Sequence, residues 1–322
     1  MTMLTTEPEP AQQAPRPRPL ARELQEITTA VRVSFHWLGT SRSLTHSQKA
    51  QAAESFGAAE KFLSAGKKLF DTSAPAYRQV TAVRSRIVQY WKSTTLPFPE
   101  PGIRLLRKER LGIFEAQLTE FRQELEEAVE RLEEEFETLQ QQARERLGSL
   151  YDPRDYPHSL RQEFAVEWDY PSVTPPDHLQ QLAPELYARE CARVSARFEE
   201  AMQLAETAFL EEFNGLITHL CERMSGQSGA SPKVFRDSAV SRLHEFFERF
   251  RTLQIGSHEQ LEGLVQQAQS LLRGITPQQL RDHSSLRQHV SRQMSAVQSQ
   301  LDQLLVDRPR RSIMRPSTGE EA

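Results

Sequence analysis

From Phe114 to Leu147 the apolar residues return every three or four positions, at Phe114, Leu118, Phe121, Leu125, Ala128, Leu132, Phe136, Leu139, Ala143 and Leu147. That spacing marks one face of a single long helix, which Gly148 stops. About 35 residues of helix measure about 50 Å, and a rod of that length is not stable in water unless something covers its stripe. The same spacing recurs at Tyr187, Cys191, Val194, Phe198, Ala201, Ala205, Phe209, Phe213, Leu216, Leu220 and Met224. Two stripes of matched length predict an antiparallel, coiled-coil-like hairpin in which each covers the other. At about 1.5 to 3 kcal/mol for each fully buried side chain, that pairing is expected to organise the fold.

The remaining segments arrange themselves around this hairpin. Residues 1–19 and 307–322 are rich in proline and polar residues and read as disordered tails, because they cannot bury enough apolar surface to offset the entropy of ordering. Region 20–102 reads as helical with one short strand, where Val31, Val33, Phe35 and Trp37 alternate with Arg32, Ser34 and His36 before Gly39. A weak helical stretch covers 47–70, interrupted by Gly57 and Gly66, and a firmer one covers 75–91 with Val80, Val83 and Ile87 in line. The prolines of Leu96-Pro-Phe-Pro-Glu-Pro-Gly102 exclude helix interior and make a rigid connector, with a further short strand at 103–106.

The hairpin block then spans 103–226. Its tip, 149–184, is stiffened by prolines and contains a strand in which Phe164, Val166, Trp168 and Tyr170 alternate with Ala165, Glu167 and Asp169. Residues 225–232 form a linker to a C-terminal helical subdomain at 235–306. There Asp237 caps one helix, Ser257 and Gln260 frame a capping box for a second that Gly274 ends, and Thr276-Pro-Gln-Gln279 combines an N-cap, a first-position proline and another box. The fold class is mainly α: a long antiparallel helical hairpin with a small β element and a C-terminal helical subdomain.

Charge and motif content narrow the function. The net charge is -4, from 40 basic and 44 acidic residues, so the whole molecule has no strong preference for nucleic acid or anionic lipid. No run of about 18 apolar residues is present, and the start of the chain lacks a basic, apolar leader; cytoplasmic residence without membrane partners is the expectation. Cys191 and Cys221 are too far apart on one helix to bridge and read as buried thiols. No phosphate-binding glycine loop, zinc-protease, nucleophile-elbow or CxxC motif occurs, so neither catalysis nor a cofactor or metal is expected. Ser64-Ala-Gly-Lys67 has the spacing that lets lysine activate serine one helical turn away, but two fixed residues recur by chance and the companion motifs are missing.

Two features stand out as binding candidates. Arg84, Arg86, Arg104, Arg107 and Lys108, with Arg78, Lys92 and Arg110, gather around the proline connector, where they suit either phosphate groups or the acidic helix face from Glu124 to Glu137. Trp168 and Tyr170 at the hairpin tip suit either docking to a partner or packing onto the helices.

The run Arg144-Glu-Arg-Leu-Gly-Ser-Leu-Tyr-Asp-Pro-Arg-Asp-Tyr-Pro157, followed by Phe164-Ala-Val-Glu-Trp168, resembles an uncharacterised bacterial and phage family, domain of unknown function 3150. The similarity extends from Gly66-Lys-Lys68 through Pro232-Lys-Val-Phe-Arg-Asp-Ser238 to the final helix. Because members are thought of as helical proteins encoded near MoxR-type AAA+ ATPases and von Willebrand A-domain proteins, the resemblance implies an accessory role in a remodelling system. It carries no known catalytic residues. The expected function is a non-enzymatic scaffold or adaptor for protein partners, such as an AAA+ ATPase; the alternative is a nucleic-acid-associated protein using the basic cluster. The stripes are equally able to pair between copies, so a homo-oligomer stays open.

Overall fold

A computed structural model describes residues 19–224, 238–255 and 258–306, with Pro19 described in its backbone only. The elements in chain order are α1 (Pro19–Ile27), β1 (Thr28–Trp37), β2 (Ser41–Ser43), α2 (His46–Ser55), β3 (Gly66–Lys68), α3 (Pro75–Thr94), β4 (Leu96–Pro97), β5 (Ile103–Arg107), α4 (Leu111–Leu147), β6 (Phe164–Asp169), α5 (His178–Leu182), α6 (Pro184–Met224), α7 (Ser238–Leu253), α8 (Glu259–Leu272), α9 (Pro277–Asp282) and α10 (Ser284–Val306). The protein is mainly α with a small antiparallel sheet. The chain divides into two compact units, one running from Ile27 to Asp177 and the other made of the residues up to Glu26 together with those from His178 onward.

In the unit 27–177 an antiparallel sheet of order β4-β5-β1-β6 carries α3 and α4 on one face. Alternation decides which side chains meet the helices. Val31 and Val33 of β1, Leu106 of β5, and Phe164 and Val166 of β6 point into a core shared with Val80, Val83 and Ile87 of α3 and with the α4 stripe from Phe114 to Ala143. Arg32, Ser34 and His36 take the opposite face, and there Arg32 meets Asp169 at 2.5 Å, directly across the register of β1 and β6. The two helices run antiparallel: Tyr90 stacks on Phe114 at 5.6 Å at one end, while Arg131 donates to Gln79 at 3.1 Å further along. Gly148 ends α4 with φ +51°, which glycine adopts without a Cβ penalty.

Among its described residues the other unit contains helices and no strand. The second half of α6 packs against α7 and α10. Phe213 lies parallel to Phe246 at 5.1 Å, and Phe209 meets Phe250 edge-on at 5.1 Å. Gln298 bonds Thr218 at 3.0 Å and Asn214 bonds Asp302 at 3.1 Å, which sets α6 and α10 antiparallel. Gly274 follows α8 with φ +75°. Thr276 and Gln279 form the anticipated capping box of α9, with Pro277 at its first turn.

Two expectations are corrected by this packing. First, the α4 stripe is covered by α3 and the sheet, and the second half of the α6 stripe, from Phe209 onward, packs with α7 and α10, in place of a folded-back hairpin of 114–147 on 187–224. The periodicity was satisfied by nearer apolar faces. Second, the block 103–226 is divided between Asp177 and His178, and its supposed tip supplies a sheet strand. The C-terminal helices, which were free to pack on themselves or back on the second long helix, lay α7 and α10 against α6. Cys221 is buried, but Cys191 is only half-buried. The tails, the linker 225–232, Asp237 and Ser257 lie outside the described residues, and the described cap of α8 is His258, whose ring nitrogen accepts from Leu261 N at 3.2 Å.

Candidate interaction site

Between β2 and β3 the chain makes a long excursion. The two strands pair from Ser41↔Lys68 to Ser43↔Gly66, and Leu44 N–H to Ala65 O (3.1 Å) and Leu69 N–H to Thr40 O (2.9 Å) extend the ladder at both ends. Thr45 caps α2 through a reciprocal box with Gln48, and Gly57, at φ +62°, turns the chain away after it. Only Ala53 of α2 is buried, so this arm gains little from core packing. It carries the two most exposed phenylalanines of the described residues, Phe56 at 80% and Phe62 at 81%. Lys61 sits 5.2 Å over the Phe62 ring, and His46 lies 3.3 Å from Glu60, joining the start of α2 to the turn that bears Phe62.

The base of the arm is anchored in the core. On β3 alternation sends Gly66 and Lys68 outward and Lys67 inward, where the lysine side chain keeps 6% exposure. Its ammonium lies 2.6 Å from Asp155 Oδ2 and donates to Leu150 O at 2.6 Å. Asp155 Oδ2 has no well-directed hydrogen bond, so the contact with Lys67 is primarily Coulombic. Beside it Tyr156 Oη donates to Leu69 O at 2.5 Å, and its ring packs on Tyr151 at 5.2 Å. Burial pushes the Tyr156 phenol up to about 12. Asp152 accepts the Arg154 guanidinium and backbone N–H, which hold its carboxyl down to about 2. The Tyr151-Asp-Pro-Arg-Asp-Tyr-Pro157 run is thus the receptor for Lys67.

Next to this clasp a shallow cleft of about 260 Å³ opens between Lys68, Phe70, Asp71, Gln142 and Arg146. Asp71 binds the Ser73 hydroxyl (2.6 Å) and N–H (2.9 Å) and the Arg146 guanidinium (3.0 Å), in that order of influence on a carboxyl lowered to about 2. Asp71, Ser73 and Arg146 thereby satisfy one another. Ser64 is exposed in an irregular segment and Lys67 is on a strand, so the helical turn that the Ser64–Lys67 spacing needs is not formed.

The residues singled out from sequence fall in separate places. Trp168 and Tyr170 are brought together on one acceptor: Glu115 Oε1 takes Trp168 Nε1–H at 2.9 Å and Tyr170 Oη–H at 2.6 Å. Arg122 lies 5.1 Å over the Trp168 ring, so these aromatics are laid against the start of α4. Burial, then the Glu115 carboxylate, raises the Tyr170 phenol well above its usual range. Arg84 stacks on Phe35 (5.1 Å) and Trp37 (4.8 Å), while Arg86 meets Glu124 of the acidic helix at 2.5 Å. Arg104 donates to Thr95 Oγ1 (2.7 Å), Thr95 O (2.8 Å) and Lys92 O (3.2 Å), closing the end of α3. Arg107 leans on Glu109 at 3.5 Å, and Lys108 starts the turn after β5.

Phe56, Phe62 and the Lys67–Asp155 pair were not anticipated. The available signal was that Phe56 and Phe62 fit no apolar stripe in a stretch broken by Gly57. Among the described residues no group of three or more His, Cys, Asp or Glu side chains is placed to hold a metal ion, and no helix is long and apolar enough to cross a membrane. Comparison of the chain with protein-family models, curated proteins and solved structures gives no match.

Proposed function

We propose that this protein is a non-enzymatic adaptor whose arm between β2 and β3 presents Phe56 and Phe62 to an apolar pocket on a partner protein. The observation that carries the reading is that two phenylalanines stand about four-fifths exposed on an arm whose base is fixed by a buried ion pair. Burying such a side chain is worth about 1.5 to 3 kcal/mol, a driving force the folded chain leaves unused. The resemblance to domain of unknown function 3150 adds a MoxR-type AAA+ ATPase or a von Willebrand A-domain protein as the partner class to look for. The alternative, nucleic-acid binding by the basic cluster, is less supported because Arg86 is ion-paired with Glu124 and Arg104 donates to Thr95 and Lys92 within the fold.

The test compares affinity purification of the tagged full chain with that of a Phe56→Ser/Phe62→Ser variant. The expected result is loss of a partner that the wild type retains, with an unchanged unfolding midpoint. An identical set of recovered proteins overturns the reading, and steeply salt-dependent binding of DNA or RNA by both forms favours the alternative.

A further inference from the structure

The sheet of the unit 27–177 has two unlike edges. One is β4, a two-residue strand containing Pro97, which blunts it. The other is β6, Phe164–Asp169, six residues without proline or bulge, paired to β1 over its whole length from Trp37↔Phe164 to Arg32↔Asp169. Pairing to β1 uses the peptide groups on one side of β6. On its other side, among the described residues, no strand pairs with it and no turn or loop backbone hydrogen bond reaches 164–169. Backbone N–H and C=O groups left in that state form a template for another strand.

The side chains say what kind of strand. Phe164, Val166 and Trp168 face the helices, whereas on the other face Glu167 is exposed, Glu163 stands just before the strand 4.0 Å from His36, and Asp169 is paired with Arg32. In an antiparallel pair, directly opposed residues share a face. A second copy laid against β6 about a two-fold axis at Val166 therefore sets Glu163 opposite Asp169, and moving the axis to Ala165 or to Glu167 opposes Glu163 to Glu167 or Glu167 to itself; opposed like charges destabilise.

We propose that the β6 edge accepts a fifth strand from a partner protein, an extended segment alternating lysine or arginine with apolar residues. The bases lie over Glu163 and Glu167, Asp169 being already neutralised by Arg32, and the apolar residues continue the Phe164, Val166, Trp168 row. This surface involves neither Phe56 nor Phe62, so it stands or falls separately from the adaptor arm.

The test is hydrogen exchange on the full chain with a blocked heptapeptide of alternating lysine and valine as probe and its glutamate and valine counterpart as control. The lysine peptide is expected to protect amides within 164–169, with protection weakening as salt rises, and the glutamate peptide is expected to protect none. Glu167→Lys, a change at an exposed side chain, is expected to weaken lysine-peptide binding about threefold or more. Protection by both peptides alike, protection only elsewhere, no protection, or binding indifferent to Glu167→Lys overturns the proposal. So does protection of 164–169 that rises with protein concentration alone, which assigns the edge to a second copy.

Discussion

The ammonium of Lys67 and the carboxylate of Asp155 meet at 2.6 Å where the lysine side chain keeps 6% of its surface and the aspartate 22%. The lysine comes from a three-residue strand and the aspartate from a proline turn beyond α4, so this contact ties the root of the β2–β3 arm to the far end of α4.

Breaking that contact from one side leaves a charge in a dry place. Lys67→Met is expected to destabilise the 27–177 unit by about 3 kcal/mol, whereas Lys67→Met with Asp155→Leu is expected to recover at least half of the loss, because matched apolar groups need no counter-charge. Urea unfolding followed by tryptophan fluorescence reads this unit directly, since Trp37, Trp91 and Trp168 all lie within it. A double variant no better than the single one contradicts the Coulombic account.

Tyr170 and Tyr156 predict a loss of stability on the alkaline side. Both phenols are raised in the folded chain, Tyr156 to about 12 and Tyr170 by burial and by Glu115. The unfolded chain releases these protons near pH 10 while the folded chain retains them. Their contribution is complete below about pH 10 and is lost as pH rises through the folded values. Glu115→Gln is expected to bring the Tyr170 transition down toward the ordinary range and to leave Tyr156 at about 12, as read by ultraviolet titration of phenolate. Movement of both tyrosines together contradicts the local assignment.

Arg104 separates structural from ligand-binding roles for the basic cluster. Its three hydrogen bonds close the end of α3, so Arg104→Met is expected to cost about 2 kcal/mol. Arg104→Lys is expected to restore only part of this, because an ammonium lacks the planar fork. Full rescue by lysine, measured by thermal unfolding, contradicts the assignment.

Local structure was legible in the residues. The strand ending at Trp37, the strand from Ile103, the strand from Phe164, the long helix ending at Gly148 and the capping box at Thr276 all form where alternation, periodicity and capping chemistry placed them. What covers each face was not. A stripe reports that one side of a helix is buried and carries no address for its cover, so two matched stripes were paired with each other instead of with α3 and α7. The strands pointed to a different answer. Three strands read singly each leave a row of unpaired peptide groups; taken together they require a sheet, and a sheet with one apolar face competes for the α4 stripe. The β2–β3 ladder was missed because its six residues carry neither alternation nor β-branching.

The boundary after Glu26 and the return at His178 make the sheet-bearing unit an insertion within the helical one. On a ribosome the inserted unit emerges whole, with every segment it needs, while α1 has to wait for α6 to α10 before its own unit can close. Synthesis therefore begins the helical unit first and completes it last, and the nascent chain passes through an interval in which only its interior passage can be folded.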